Sequence, residues 1–104
     1  MKELTVVELK EKIDANEDFQ LIDVREPYEI DIATIGGENI PLAQIQAEVD
    51  KISREKQVVV YCRSGGRSGN AVQWLDTQGL DNIYNLQGGI LAWSDEIDQS
   101  IPKY

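Results

Sequence analysis

One short segment of the chain gathers residue types that carry nucleophilic chemistry. It contains a thiol, two arginines, two serines and two glycines, in the order Cys62, Arg63, Ser64, Gly65, Gly66, Arg67 and Ser68. The glycines allow a tight loop whose backbone N–H groups point inward and form an anion-binding nest. The start of a following helix adds partial positive charge, and the arginines add two full charges. The sequence therefore predicts an anion-binding loop beside Cys62, with hydroxyl donors from its serines.

The charge distribution along the chain supports a reactive role for Cys62. The chain carries 10 Lys and Arg residues against 19 Asp and Glu residues, which gives a net charge of −9. No acidic residue occurs between Lys56 and Leu75, the stretch that surrounds the only cysteine. Positive charges and N–H dipoles favour a thiolate, so they lower the pKa of a thiol below its usual value of about 8.5. We therefore predict that Cys62 is a catalytic nucleophile that needs no general base.

Two absences limit the chemistry further. The chain has no histidine, which excludes Ser-His-Asp catalysis, Cys-His catalysis and histidine-ligated metal sites. We accordingly expect no metal and no cofactor. A single cysteine forms no internal disulfide, and a lone thiol is typical of a reducing compartment. The acidic net charge disfavours nucleic acids and anionic membranes as partners.

Length and composition indicate one globular domain over residues 1–104. With 41% hydrophobic and 28% charged residues, the composition is neither that of a disordered chain nor that of a membrane protein. The first residues lack the apolar run of a signal peptide. The longest apolar run, Val58–Cys62, is far too short to span a membrane. These features predict a cytoplasmic protein.

Strand and helix patterns alternate along the chain, beginning with a helix capped at Thr5. The later elements are predicted as a strand over 19–24, a loop over 33–41, a helix over 42–52, a strand over 57–61, a helix over 70–78, a strand over 82–86 and a helix over 88–97. This alternation is typical of an α/β fold with a central, mainly parallel sheet and helices on both faces. Sites in such folds form beyond the carboxyl ends of the strands. Asp23, Arg25, Cys62 and the pair Gly88-Gly89 all follow predicted strands, so we expect them at one edge.

Four segments together resemble one known family. Cys62–Ser68 resembles the active-site loop of the rhodanese homology domain, the sulfurtransferase family. Asp23–Glu29 is similar to the family's Asp-Val-Arg-Glu segment, and Asn39–Pro41 fits its Asn-Ile-Pro element. Leu86–Trp93 resembles its Gly-Gly-x-x-x-Trp segment. The matches occur in family order from about residue 3 to residue 97, so the resemblance implies a single rhodanese-like domain.

The resemblance implies a ping-pong sulfur transfer. The Cys62 thiolate would attack the outer sulfur of a small anionic donor such as thiosulfate and expel sulfite. The resulting persulfide would pass its terminal sulfur to a nucleophilic acceptor, which is a thiol, cyanide or a protein. The loop over residues 63–68 would bind the donor anion and stabilise the persulfide. Arg63 and Arg67 would contact the arriving or departing anion.

Two features near the first long strand need separate interpretation. Asp23 and Arg25 form either a structural ion pair, because buried charges need partners, or a support that holds the Cys62 loop in position. Many family members have a Gly-His-Ile element before Asn-Ile-Pro, whereas this chain has Ala33-Thr34-Ile35. That departure affects the packing of this loop and leaves the nucleophile unchanged.

Other functions remain open at this point. A rhodanese-like fold without turnover would be a binding or regulatory module. A thiol redox sensor is disfavoured, because no second cysteine exists to resolve a sulfenic acid. Related phosphatases have five residues between the cysteine and the arginine of their loop, whereas four separate Cys62 from Arg67. The shorter loop disfavours phosphate and arsenate as substrates.

Overall fold

The computed structural model describes residues 1–104 as five strands, four α-helices and two short 3₁₀ helices. The strands are β1 (Lys2–Leu4), β2 (Gln20–Asp23), β3 (Glu38–Asn39), β4 (Val58–Tyr61) and β5 (Ile83–Leu86). The α-helices are α1 (Val6–Asp14), α2 (Pro27–Ile32), α3 (Gly66–Thr77) and α4 (Gly89–Glu96). No helix combines the length and the apolar character needed to cross a bilayer.

The five strands form one parallel sheet. Their spatial order is β1-β5-β4-β2-β3, and every neighbouring pair runs in the same direction. Asp23 at the end of β2 pairs with Tyr61 at the end of β4, and Val60 pairs with Asn85 on β5. The carboxyl ends of these three strands therefore meet at one edge, which confirms the expected placement of the segments that follow them.

Side chains of the central strand β4 divide the core into two layers. Val58 and Val60 pack on the side of α3, whereas Val59 and Tyr61 pack on the opposite side with α1 and α4. Each of these four side chains is completely buried, as expected for a central parallel strand covered on both faces. The predicted α/β architecture with helices on both faces is confirmed. Packing on both faces holds β4 rigidly in place, and Cys62 is the residue that directly follows this strand.

The predicted helix over 42–52 is wrong. The segment forms two 3₁₀ helices, Leu42–Gln44 and Val49–Lys51, which are joined by turns. The prediction rests on the helical spacing of four apolar residues, of which Ile45 and Ile52 are buried and Leu42 and Val49 are partly buried against the same core. The spacing shows which side chains face the core, and a chain of three-residue turns satisfies it as well as an α-helix does.

Three short elements escaped prediction, and one helix begins earlier than expected. The strands β1 and β3 have three and two residues, too few to show an alternating pattern. The helix α2 has six residues and begins at Pro27, a favoured first position. The helix α3 begins at Gly66 rather than at residue 70, because glycine and serine are poor indicators of helix. Because of this earlier start, the N-terminus of α3 lies next to the loop that begins at Cys62.

Candidate active site

The Cys62 side chain lies inside the loop that joins β4 to α3. Only 1% of the residue is exposed, and it contacts the apolar layer on the side of α3. Its Sγ is nevertheless surrounded by polar donors. The backbone N–H of Gly65 donates to Sγ across 3.1 Å, and the Ser68 hydroxyl oxygen lies 3.3 Å from it. The thiol is therefore buried and hydrogen-bonded, the arrangement in which a thiolate is stabilised without bulk water.

These contacts decide the acidity of the thiol. Burial alone raises the pKa of Cys62, but hydrogen bonds from the Ser68 hydroxyl and from the backbone N–H groups of Ser68, Gly65 and Ser64 outweigh burial and lower the pKa below its ordinary value. The charge pattern of the sequence predicts that the two arginines lower the pKa of Cys62 together with the N–H dipoles. The structure instead gives the main part to hydrogen bonds, since both arginines have other partners.

Two glycines give the loop its shape. Gly65 precedes α3 with a φ of +109°, in the left-handed region where glycine is unstrained, and this turn directs its N–H toward the sulfur. Gly89, at the start of α4, has a φ of +59° and touches the loop from the other side. A Cβ at Gly89 would lie 2.5 Å from the carbonyl oxygen of Arg63. The absence of a side chain at Gly89 therefore allows the backbone of α4 to approach the backbone of the loop closely.

The N-terminus of α4 binds the Cys62 loop through backbone hydrogen bonds. The N–H of Ile90 donates to the carbonyl of Cys62 across 3.0 Å, and the N–H of Leu91 donates to the carbonyl of Arg63 across 3.1 Å. Because the first N–H groups of a helix have no partner inside the helix, they are free to bind the loop in this way. The carbonyls of Cys62 and Arg63 thus point toward α4, whereas the N–H groups of Ser64, Gly65 and Ser68 face the sulfur.

Both loop arginines flank the site, and each is held by a neighbour. Arg67 donates to both carboxylate oxygens of Glu29, across 2.7 and 2.9 Å. This bidentate contact lowers the pKa of the nearly buried Glu29 to about 2, against the opposing effect of burial. The Nε of Arg63 donates to the backbone oxygen of Tyr104, and its guanidinium lies 5.2 Å from the centre of the Tyr104 ring. Ser64 and Gly66 are exposed, and the Ser64 hydroxyl forms no hydrogen bond.

Asp23 and Arg25 form a buried ion pair beside the site. Arg25 is completely buried and donates to Asp23 through Nε, across 3.0 Å, and through Nη2, across 2.8 Å. Further bonds from Arg25 reach the carbonyl of Ala33 and the hydroxyl of Tyr104. Neither residue contacts the Cys62 sulfur. The pair is connected to the loop through Glu29, the partner of Arg67: Nη1 of Arg25 donates to the carbonyl of Glu29 across 3.4 Å, and the Tyr104 hydroxyl donates to the Glu29 carboxylate.

Sequence reasoning missed three residues at this site, Glu29, Asn85 and Tyr104. Glu29 entered the sequence analysis only as the last residue of the Asp23–Glu29 segment, and the structure shows that it also completes a capping box with Glu26 at the start of α2. Tyr104 reaches the site from 41 positions beyond Arg63, and no local pattern predicts such a contact. Asn85 carried the one usable signal, because an amide interrupts the apolar side of a buried strand.

The chemistry of Cys62 is open to a direct measurement. We expect the midpoint of its alkylation profile against pH to lie below that of a free-cysteine peptide, because the lowered pKa keeps the thiolate populated as the pH falls. Cys62 is the only cysteine, so iodoacetamide reports on it alone. Restricted access of the reagent to the buried sulfur lowers the alkylation rate equally at every pH and leaves the midpoint unchanged. A midpoint at or above that of the peptide would contradict this electrostatic description.

The structure thus has a loop that begins with a cysteine at the carboxyl edge of a five-stranded parallel sheet. This arrangement agrees with the family that the four sequence segments resemble. The family model described as "Rhodanese-like domain" matches residues 5–96. The chain therefore belongs to the rhodanese-like domain family.

Individual relatives agree with this assignment. The putative sulfurtransferase YtwF of Bacillus subtilis is 39% identical, over 92% of this chain and 93% of that protein. The rhodanese-like/PpiC domain-containing protein 12 of Arabidopsis thaliana is 41% identical, and this chain spans 38% of its length. The crystal structure of a rhodanese-related protein from Thermoplasma volcanium superimposes with a TM-score of 0.83 at 34% identity, covering 93% of this chain and 94% of that one.

Proposed function

We propose that this chain is a sulfurtransferase that carries sulfane sulfur as a persulfide on Cys62. Thiosulfate is the proposed donor, and a thiol, cyanide or a protein nucleophile is the proposed acceptor. The observation that carries the proposal is the position of the Cys62 sulfur, which accepts hydrogen bonds from Gly65 and Ser68 at the start of α3. Several relatives, among them a protein of Allochromatium vinosum 36% identical over 90% of this chain, are named sulfurtransferases.

The proposed reaction has two displacement steps. In the first, the Cys62 thiolate attacks the outer sulfur of thiosulfate. A bond forms between Sγ and that sulfur, and the sulfur–sulfur bond of thiosulfate breaks, so sulfite leaves with the electron pair. In the second, the acceptor attacks the terminal sulfur, and the Sγ thiolate leaves. Inward N–H groups of residues 63–68 stabilise the negative charge in both steps.

Turnover with thiosulfate and cyanide tests this function. Purified protein is expected to form thiocyanate in proportion to enzyme concentration, with parallel lines in double-reciprocal plots, as a ping-pong reaction requires. Replacing cyanide by a small thiol and scoring release of sulfide tests the range of acceptors. Absence of product with every donor and acceptor combination would contradict the proposal.

Arg67 is proposed to attract the donor anion, and its removal gives a measurable loss. Arg67→Ala is expected to lower kcat/KM for thiosulfate by about tenfold or more. The change removes a cation from the start of α3 and leaves the carboxylate of Glu29 buried and unpaired, where it repels an anion. Steady-state kinetics at varied thiosulfate concentration measure the effect.

A double variant separates the two causes. In Glu29→Gln with Arg67→Ala, the unpaired carboxylate is gone, so we expect part of the lost kcat/KM to return. Unchanged kcat/KM in the single Arg67→Ala variant would remove Arg67 from the donor-binding role.

A binding or regulatory module without turnover is the second candidate. The burial of Cys62, only 1% exposed, favours it, because a donor sulfur has to reach an Sγ that is almost closed off from solvent. The alkylation experiment separates the candidates. A site built for sulfur transfer is alkylated by a small reagent at neutral pH, whereas a closed scaffold resists the same reagent until it unfolds.

A further inference from the structure

Asn85 is a polar residue at a core position of β5. Side chains alternate along a strand, so Asn85 faces the same layer as Ile83, on the side of α3. Tyr84 and Leu86 pack on the opposite side of the sheet. Asn85 is only 4% exposed. A buried amide needs hydrogen-bond partners, and the identity of those partners indicates why an amide occupies this position.

Both partners of Asn85 belong to the machinery around the Cys62 sulfur. Its Oδ1 lies 2.6 Å from the hydroxyl oxygen of Ser68, and its Nδ2 donates to the carbonyl of Gly65 across 3.2 Å. The contact with Gly65 fixes the orientation of the amide, because only the nitrogen donates to a carbonyl. Oδ1 is therefore an acceptor aimed at the Ser68 hydroxyl.

The hydroxyl of Ser68 has a single proton and two acceptors within reach. One is Asn85 Oδ1 at 2.6 Å, and the other is Cys62 Sγ at 3.3 Å. Ser68 is completely buried, so water cannot serve as a third partner. A neutral thiol donates its own proton to the Ser68 oxygen, and the hydroxyl then points to Asn85. A thiolate is only an acceptor and draws the hydroxyl proton to itself.

We propose that Asn85 is a positioning residue that competes with Cys62 for the proton of the Ser68 hydroxyl. In the thiol state the Ser68 hydroxyl donates its hydrogen bond to Asn85. In the thiolate state the hydroxyl donates to Cys62 instead. The competition opposes ionisation of Cys62 to a limited extent. The loop itself depends little on Asn85, because the carbonyl of Gly65 also accepts a helical bond from the N–H of Gly69 across 3.0 Å.

This competition suits a sulfur that changes its charge, and here the inference rests on the proposed sulfur transfer. When Cys62 carries a persulfide, the negative charge lies on the outer sulfur, and Sγ becomes a weaker acceptor. The Ser68 hydroxyl then donates again to Oδ1 of Asn85, so this buried oxygen has a hydrogen-bond partner. When the acceptor removes the outer sulfur, the charge returns to Sγ and the hydroxyl turns back.

The replacement Asn85→Leu tests the proposal, because leucine has a similar size and no acceptor. The Ser68 proton then belongs to Cys62 in every state. We expect the midpoint of the alkylation profile of Cys62 to move to lower pH, by roughly half a pH unit or more, as expected for one hydrogen bond. A merely structural role predicts the opposite shift or none, since a loosened loop loses N–H bonds to the sulfur. An unchanged or raised midpoint would therefore overturn the proposal.

A variant lacking the Ser68 hydroxyl shows whether the effect passes through this group. Ser68→Ala is expected to move the midpoint to higher pH, and Asn85→Leu added to Ser68→Ala is expected to cause no further shift. If the midpoint of the double variant moved down as far as it does in Asn85→Leu alone, Asn85 would not act through the Ser68 hydroxyl. Should Asn85→Leu fail to fold, Asn85→Val offers a β-branched side chain that also lacks an acceptor.

Asn82→Leu is the matched control. Asn82 precedes the same strand at its opposite end, where its Nδ2 donates to the carbonyls of Ser53 and Lys56. Its replacement removes an amide of the same kind and is expected to leave the alkylation midpoint of Cys62 unchanged. Alkylation requires no donor or acceptor of sulfur. The Asn85 result therefore stands even where thiocyanate is not formed, and a failure of turnover is recognised separately.

Discussion

Cys62→Ser is expected to reduce thiocyanate formation from thiosulfate and cyanide by at least about a thousandfold. The serine hydroxyl is not ionised at neutral pH, and it forms no persulfide to pass on. Serine fits the space of the thiol and still accepts hydrogen bonds from Gly65 and Ser68, so the loop is expected to keep its shape. The loss therefore reports on chemistry rather than on folding.

Two measurements complete the Cys62→Ser experiment. Thermal unfolding is expected to be close to that of the wild type, which shows that the variant is folded. Wild-type protein alkylated at Cys62 is expected to be inactive to the same degree. Appreciable turnover in folded Cys62→Ser would show that sulfur transfer does not pass through this residue.

Gly89→Ala is expected to have the largest effect on folding. The new Cβ would lie 2.5 Å from the carbonyl oxygen of Arg63 and 2.6 Å from that of Cys62, at a φ of +59° that alanine rarely adopts. Backbone atoms on both sides must shift, at a cost of roughly 2–5 kcal/mol in the free energy of unfolding. The shift also moves the carbonyls that α4 binds, so turnover is expected to fall even where the protein remains folded.

Gly66→Ala provides the control for stability. A Cβ at Gly66 meets no atom within 4 Å, and the residue is the first of α3, where the backbone is ordinary. We expect denaturant unfolding of this variant to differ little from that of the wild type. Equal stability of Gly89→Ala and Gly66→Ala would mean that the contact between α4 and the loop is not as close as described.

The parts of the fold that sequence reasoning predicted are those with a local pattern. The run of valines in β4 is apolar on both faces, as expected for a central parallel strand covered on both sides. The segment over 42–52 shows the limit of such patterns. Its apolar spacing placed Ile45 and Ile52 correctly in the core, yet the backbone forms 3₁₀ turns, because core packing depends on where side chains point and not on the type of helix.

The residues of the candidate site also fall into those that a local sequence pattern predicts and those that it does not. The loop glycines and Cys62 lie close together in sequence, and their arrangement was predictable from the strand and helix on either side. The partners of the arginines were not, because Glu29 lies 38 positions from Arg67 and Tyr104 lies 41 positions from Arg63. An acidic partner for Arg67 reduces the positive charge that the loop presents. Hydrogen bonds therefore stabilise the thiolate to a larger extent than the charge pattern alone indicated.

The mass of the intact protein after exposure to thiosulfate tests the persulfide most directly. Wild-type protein is desalted and measured before treatment, after thiosulfate and after subsequent cyanide. We expect thiosulfate to add the mass of one sulfur atom, peptide mapping to locate it on the peptide that contains Cys62, and cyanide to remove it. An unchanged mass after thiosulfate, or added sulfur that cyanide fails to remove, would contradict sulfur transfer through Cys62.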